Sequence, residues 1–169
     1  MSVSIILIPA AIAAIASMAA GGAGAAGVGV GIAGAIRSIT GGANQPTTMQ
    51  VRTRMKDRGL LAEALGDLGA VDVEIGDQVA ATIDGIKLVM QSTPEGIWAA
   101  NFTSKDRKKE VTTAEATKLA ERLDAAYAAR VQTAVAARIR EKAGDAGLDL
   151  VSETVEDDES LTLTLNVRA

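Results

Sequence analysis

Two charged clusters in this chain of 169 residues could bind ions, and each also has a simpler interpretation. Asp157, Asp158 and Glu159 could hold a hard cation through carboxylate oxygens, but the turn lacks the spaced carboxylates and central glycine of a calcium loop. The basic run 105–109 could contact phosphate, yet a loop of this composition between a strand and a helix is normally only solvated. Solvated loops are the favoured interpretation of both clusters.

Aromatic and arginine side chains supply two further candidates. Trp98 and Phe102 could stack on bases, but a chain with one Trp, one Phe and one Tyr is expected to bury them in its core. Arg130, Arg138 and Arg140 could form a basic edge on a long helix, where they would meet the acidic C-terminal hairpin of a neighbouring copy.

The chain contains neither histidine nor cysteine. This excludes a Ser-His-Asp triad, thiolate nucleophiles, disulfides and the zinc sites built on histidine or sulfur. Catalysis would have to rest on carboxylates, lysines or hydroxyls, and no paired constellation of these stands out. The sequence therefore predicts a protein that is not an enzyme and that has no cofactor and no metal.

Glycine motifs in the N-terminal region imitate a nucleotide site. The segments 22–27 and 29–34 both satisfy G-x-G-x-x-G. A dinucleotide fingerprint needs a strand before the first glycine and an acidic residue about 20 residues beyond the motif. Here the preceding residues are rich in alanine and the following region is basic, so we reject both matches.

The most distinctive feature is an uncharged run of 33 residues, Ser4 to Ile36. As a helix it would be about 50 Å long, which exceeds the ~30 Å hydrocarbon core of a bilayer. A signal peptide requires a positively charged region before its apolar stretch, and no basic residue precedes this run. The run predicts one transmembrane helix.

Basic residues follow this run and none precedes it. They are Arg37, Arg52, Arg54, Lys56 and Arg58. Because positive residues stay on the cytoplasmic side, the flank predicts a bacterial inner-membrane protein with a cytoplasmic C-terminal domain and an N-terminus outside or buried in the bilayer. The acidic balance of the chain, with a net charge of −4, argues against a nucleic-acid partner.

Small residues recur every four positions within the run, at Ala23, Gly27, Gly31 and Ala35. This small-xxx-small pattern lets helix backbones approach closely, so the implied partner is another copy of the same segment. Two alternatives stay open. The alternation across 28–32 permits a strand or extended loop, and the run could form the dry centre of a large cytoplasmic assembly.

The rest of the chain predicts an α+β domain. We divide the sequence into an apolar segment (1–37), a linker (38–48) and the domain (49–169). An antiparallel sheet, formed by a meander and a C-terminal hairpin, is expected to pack against one short and one long helix, preceded by an apolar N-terminal helix.

Local signals place the elements of this domain. Asp57 is expected to cap the short helix, which ends at Gly69, and Asp84-Gly85 indicates a type I′ hairpin. A capping box at 112–115 opens a helix that runs to about residue 143. Alternation predicts strands near 49–55, 71–75, 78–83, 86–91, 98–102, 148–155 and 161–167. In the second of these, Val71, Val73 and Ile75 are expected to face inward.

Two stretches carry a resemblance to a known family. They are Met-Lys-Asp-Arg-Gly-Leu-Leu-Ala-Glu-Ala-Leu-Gly-Asp-Leu-Gly at 55–69 and Gly-Leu-Asp-Leu-Val-Ser-Glu-Thr-Val at 147–155. Together with the element order, they make residues 47–169 resemble the plastid and cyanobacterial family of hypothetical chloroplast reading frame thirty-five, a domain of unknown function. The resemblance implies a small α+β protein that in bacteria often accompanies an AAA-type ATPase. It implies no catalytic residues, and typical members lack the apolar segment and are richer in aromatics.

These observations together predict a non-enzymatic, membrane-associated homo-oligomeric assembly protein, whose partners are itself and a lipid bilayer. The alternatives are a soluble filament or shell subunit and an adaptor of an AAA-type ATPase.

Overall fold

The computed structural model describes residues 2–7, 36–39, 48–106, 109–157 and 159–168. Its α+β class, with antiparallel sheets and two helices, agrees with the prediction. The helices are α1 (Arg58–Asp67) and α2 (Thr113–Asp145). The strands are β1 (Ser2–Leu7), β2 (Ile36–Ile39), β3 (Thr48–Arg52), β4 (Val71–Ile75), β5 (Gln78–Ile83), β6 (Ile86–Ser92), β7 (Trp98–Ser104), β8 (Leu148–Val155) and β9 (Leu161–Val167).

The strands form two sheets. One has six strands in the order β2-β3-β7-β6-β5-β4, and the other has three in the order β1-β9-β8, with antiparallel neighbours throughout. The chain divides accordingly into a central unit, Ala20–Tyr127, and a terminal unit made of Met1–Ala19 and Ala128–Ala169. Helix α2 contributes residues to both units.

The central unit has a continuous apolar core on one face of its sheet. Helix α1 buries Leu61, Ala64 and Leu65 there, and the first half of α2 adds Leu119 and Leu123. Truncating one such leucine to alanine costs about 2–5 kcal/mol, because a cavity remains where the side chain was.

Caps and turns fix the ends of these elements as the local signals predict. The Asp57 side chain accepts a hydrogen bond from the Leu60 backbone N–H at 3.0 Å. Thr112 and Glu115 exchange reciprocal bonds, with Glu115 Oε2 2.9 Å from the Thr112 nitrogen and Thr112 Oγ1 3.2 Å from the Glu115 nitrogen. Asp84 and Gly85 have φ of 51° and 78°, as a type I′ turn requires.

The terminal unit has a smaller core around the central strand β9. Leu161, Leu163 and Leu165 are buried on one face of β9, whereas Thr162 and Thr164 alternate with them. The second half of α2 contributes Ala136 to this core, in one buried cluster with Leu161, Leu163 and Leu7 of β1.

The predicted apolar N-terminal helix needs correction at its start. Residues Ser2–Leu7 form strand β1 instead of a helix, and their backbone pairs with β9 along the whole strand. At the other end, strand β2 (Ile36–Ile39) pairs with β3. It includes residues 38 and 39, which the prediction assigned to the linker. Residues 8–35 and 40–47 lie outside the described residues. Neither α1 nor α2, the helices of the described part, is both long and apolar enough to cross a membrane.

Strand β4 also differs from its predicted orientation. All five residues, including Val71, Val73 and Ile75, are exposed. A register shift interrupts the pairing between Val71 and Glu74, and Asp72 has a φ of +53°. A bulge breaks the alternation of faces, and a strand at the sheet edge has a neighbour on one side only.

Candidate functional site

Strands flank the stretch 8–35 of the apolar segment on both sides. Before it, all six residues of β1 pair with β9, from Ser2 opposite Asn166 to Leu7 opposite Leu161. The Leu7 carbonyl oxygen accepts a hydrogen bond from Gln132 Nε2 at 2.9 Å. The same Gln132 nitrogen is 2.8 Å from the Glu159 carbonyl oxygen. Gln132 therefore ties α2 both to the end of β1 and to the turn before β9.

The segment ends at β2, whose backbone pairs with β3 from Ile36 opposite Val51 to Ile39 opposite Thr48. Residues 8–35 thus connect a strand of one sheet to a strand of the other. Main-chain hydrogen bonds hold both of these strands in their sheets. The predicted self-association strip of Ala23, Gly27, Gly31 and Ala35 lies outside the described residues.

Two residues of the predicted basic flank, Arg54 and Arg58, bind partners within the fold. Arg54 forms a bidentate ion pair with Asp124 of α2, with Nε 2.9 Å from Oδ1. Arg58 donates from Nη1 to the Gly76 carbonyl oxygen at 3.1 Å. Arg52 and Lys56 expose their side chains to solvent. Arg37 lies opposite Gln50 in the β2–β3 register.

The segment after β3 is held by two aromatic side chains. Tyr127 Oη accepts hydrogen bonds from the backbone nitrogens of Lys56 and Asp57, at 3.2 and 2.9 Å. Trp98 Nε1 donates to the Lys56 carbonyl oxygen at 3.2 Å. Trp98 and Phe102 are buried, as expected of core residues rather than of a base-stacking surface. The sequence did not reveal the role of Tyr127, because its partners are about 70 residues away.

The charged clusters are built as solvated turns and ion pairs. Glu159 has a φ of +62°, and its nitrogen donates to the Glu156 carbonyl oxygen in the turn before β9. Asp158 is outside the described residues, among which no three metal-ligating side chains lie close together. In the basic run, Lys105 pairs with Asp72 at 3.3 Å, and residues 107 and 108 are not described.

Two of the three helix arginines, Arg138 and Arg140, have different surroundings. Arg140 pairs with Glu153 of β8, with Nε 3.0 Å from Oε2. Arg138 lies beside an apolar groove of the terminal unit instead. The partner of Arg140 is thus within the same chain, whereas the prediction placed acidic partners of this edge in a neighbouring copy.

Several groups among the described residues have displaced pKa values, and each of these displacements has a structural cause. The hydrogen bonds of Thr112 lower the pKa of Glu115, and the Thr93 hydroxyl lowers that of Glu95. Hydrogen bonds from Arg168 lower the pKa of Asp149, which in turn raises the pKa of Arg168. Caps, turns and ion pairs explain all of these shifts.

Exposed apolar side chains lie on several strands of the described residues, including Val3 and Ile6 of the edge strand β1, and are numerous on the edge strands β4 and β8. Val71 and Ile75 are 56% and 52% exposed, and Val151 and Val155 are 57% and 69% exposed. Register shifts in both strands, between Val71 and Glu74 and between Leu150 and Ser152, disrupt the ladders that a further strand would continue. The sequence patterning missed this exposure, because alternation does not distinguish an edge strand from a central one.

Comparison with known proteins adds no relative: no family model matches the chain, and neither a curated protein nor a solved structure is significantly similar to it. The resemblance to the chloroplast reading-frame family stays a prediction.

Proposed function

We propose that this chain is a non-enzymatic, membrane-associated homo-oligomeric assembly protein, in which residues 8–35 are an apolar loop held at both ends. The observation that carries the proposal is the anchoring of this uncharged stretch by β1 and β2. An uncharged segment of 28 residues is unfavourable in water, so lipid or other copies of the segment are its natural surroundings.

The anchors alter the expected topology. A single span would place Ser2–Leu7 across the membrane from the rest of the chain, whereas pairing with β9 keeps them with it. If the loop enters and returns as two helical arms of equal length, each arm reaches only about 20 Å, which is less than the ~30 Å hydrocarbon core. The proposal is therefore a re-entrant insertion, with the folded units on one side of the membrane and Arg52 and Lys56 available to anionic headgroups.

Vesicle flotation tests this function. The full chain is compared with a variant in which residues 8–35 are replaced by a Gly/Ser linker of equal length, which preserves the connection between β1 and β2. We expect the natural chain to float with vesicles of phosphatidylethanolamine and phosphatidylglycerol, and the linker variant to stay at the bottom with an unchanged circular dichroism spectrum. Equal flotation of both proteins would overturn the proposed role of the loop.

The exposed apolar side chains of β4 and β8 favour a second candidate, a soluble filament or shell in which the loops pack together as a dry centre. In that case the natural chain would form large, lipid-free particles without floating, and the linker variant would run as a small species in size-exclusion chromatography.

A further inference from the structure

An apolar groove of the terminal unit lies between α2 and the three-stranded sheet. Its volume is about 300 Å³. Ile139 of α2, Ile5 of β1, Leu148 of β8 and Leu165 of β9 contribute to its walls. Two small side chains at the end of α2, Ala143 and Ala146, also line the groove.

Among the residues that line the groove, the charged side chains are two cations. Arg138 and Lys142 are one helical turn apart, and no carboxylate is part of the lining. Neither has an ion-pair partner among the described residues. Arg140, which lies about 200° around the helix from Arg138, is already engaged by Glu153. The groove therefore has an apolar interior and an unneutralised positive rim.

The charge at the end of α2 indicates which of the two cations an anion would contact first. The last carbonyl groups of a helix carry partial negative charge, which disfavours an anion beyond the helix end. Lys142 is in this last turn and offsets that charge. Arg138 is one turn further from the end, so it is the better primary contact.

We propose that this groove binds a single-chain anionic amphiphile, with its alkyl chain against Ile5, Ile139 and Leu165 and its anionic group at Arg138 and Lys142. Hydrocarbon matches the aliphatic walls, and one negative charge matches the rim. A volume of about 300 Å³ is at the lower end of small-molecule sites and suits one short chain rather than the two chains of a phospholipid. None of the residues that line the groove belongs to 8–35, and the proposal does not depend on the proposed membrane association.

Calorimetric titration of the full chain with decanoate, below its micellar concentration, tests the site. We expect one saturable site. The double variant Arg138→Glu/Lys142→Glu should bind at least tenfold more weakly. Ala146→Leu should weaken binding by filling the groove while both cations remain. Residues 8–35 are identical in all variants, so any contribution from them cancels.

Matched controls separate the groove from general charge and apolar effects. Lys87→Glu/Lys118→Glu makes the same charge change at exposed lysines of the central unit and should leave affinity unchanged. Decyltrimethylammonium, with the same chain and opposite charge, should not bind at this site. Decyl phosphate distinguishes the anion source, since tighter binding than decanoate would indicate a phosphate headgroup. Equal losses in both double variants, or unchanged affinity in Arg138→Glu/Lys142→Glu and Ala146→Leu, would overturn the proposal.

Discussion

Asp149 and Arg168 form an ion pair that closes the open end of the β8–β9 hairpin. Arg168 Nε is 3.1 Å from each carboxylate oxygen, and Nη2 makes a further bond to Oδ1. These bonds favour the charged carboxylate and so lower the pKa of Asp149. The pair therefore stabilises the fold only while Asp149 is ionised. Because both side chains are more than half exposed, solvent and salt screen the interaction.

We expect Arg168→Gln to raise the pKa of Asp149 toward its ordinary value of about 3.9. The stability advantage of the natural chain over this variant should be complete above that ordinary value. It should disappear as the pH falls through the lower pKa of the folded state, because both proteins then carry a neutral Asp149. NMR titration of the Asp149 carboxyl and urea unfolding from pH 2 to pH 7 measure the two effects. Arg140→Gln, which breaks the neighbouring pair with Glu153, should leave the pKa of Asp149 unchanged; an equal change there would contradict the assignment.

Two glycines three residues apart, one inside helix α1 and one just beyond its end, should respond in opposite directions to the same substitution. Gly66 is inside the helix and Gly69 follows its end with a φ of +67°, and a Cβ at either position would meet no atom within 4 Å. Gly66→Ala should stabilise the protein by about 1 kcal/mol, since alanine loses less backbone entropy in a helix. Gly69→Ala should destabilise it by about 1–2 kcal/mol, since the left-handed conformation strains any residue with a Cβ. Urea unfolding measures both, and a shared sign would contradict this account of the helix end.

Signals within a few residues predicted these elements well, whereas pairings across the chain were not predictable. Asp57, Gly69, Asp84 and Gly85 act on their immediate neighbours, so their residue types were sufficient. The partner of β1 is more than 150 residues away, and its six residues are as apolar as the start of a membrane helix. For the same reason, the sequence did not predict that Ile5 and Leu165 line one groove, or that Arg138 lies beside it.

At the scale of the whole molecule, the unusual property is the position of the apolar stretch between two strands of different sheets. Helix α2 contributes residues to both units. A chain with this connectivity would bind to one face of a membrane without placing its N-terminus on the other. The membrane topology thereby becomes measurable at single residues.

Single-cysteine labelling decides between one span and a re-entrant loop, because the natural chain contains no cysteine. Ser4→Cys reports on β1 of the terminal unit, and Ser92→Cys reports on β6 of the central unit; both serines are exposed. In sealed vesicles carrying the protein, we expect a membrane-impermeant maleimide to label both cysteines from the same side, because β1 is paired with β9. The unsubstituted chain should give no signal, which controls for labelling at other groups. Protection of Ser4→Cys under conditions that label Ser92→Cys would instead establish a single span and would mean that β1 leaves the sheet when the protein inserts.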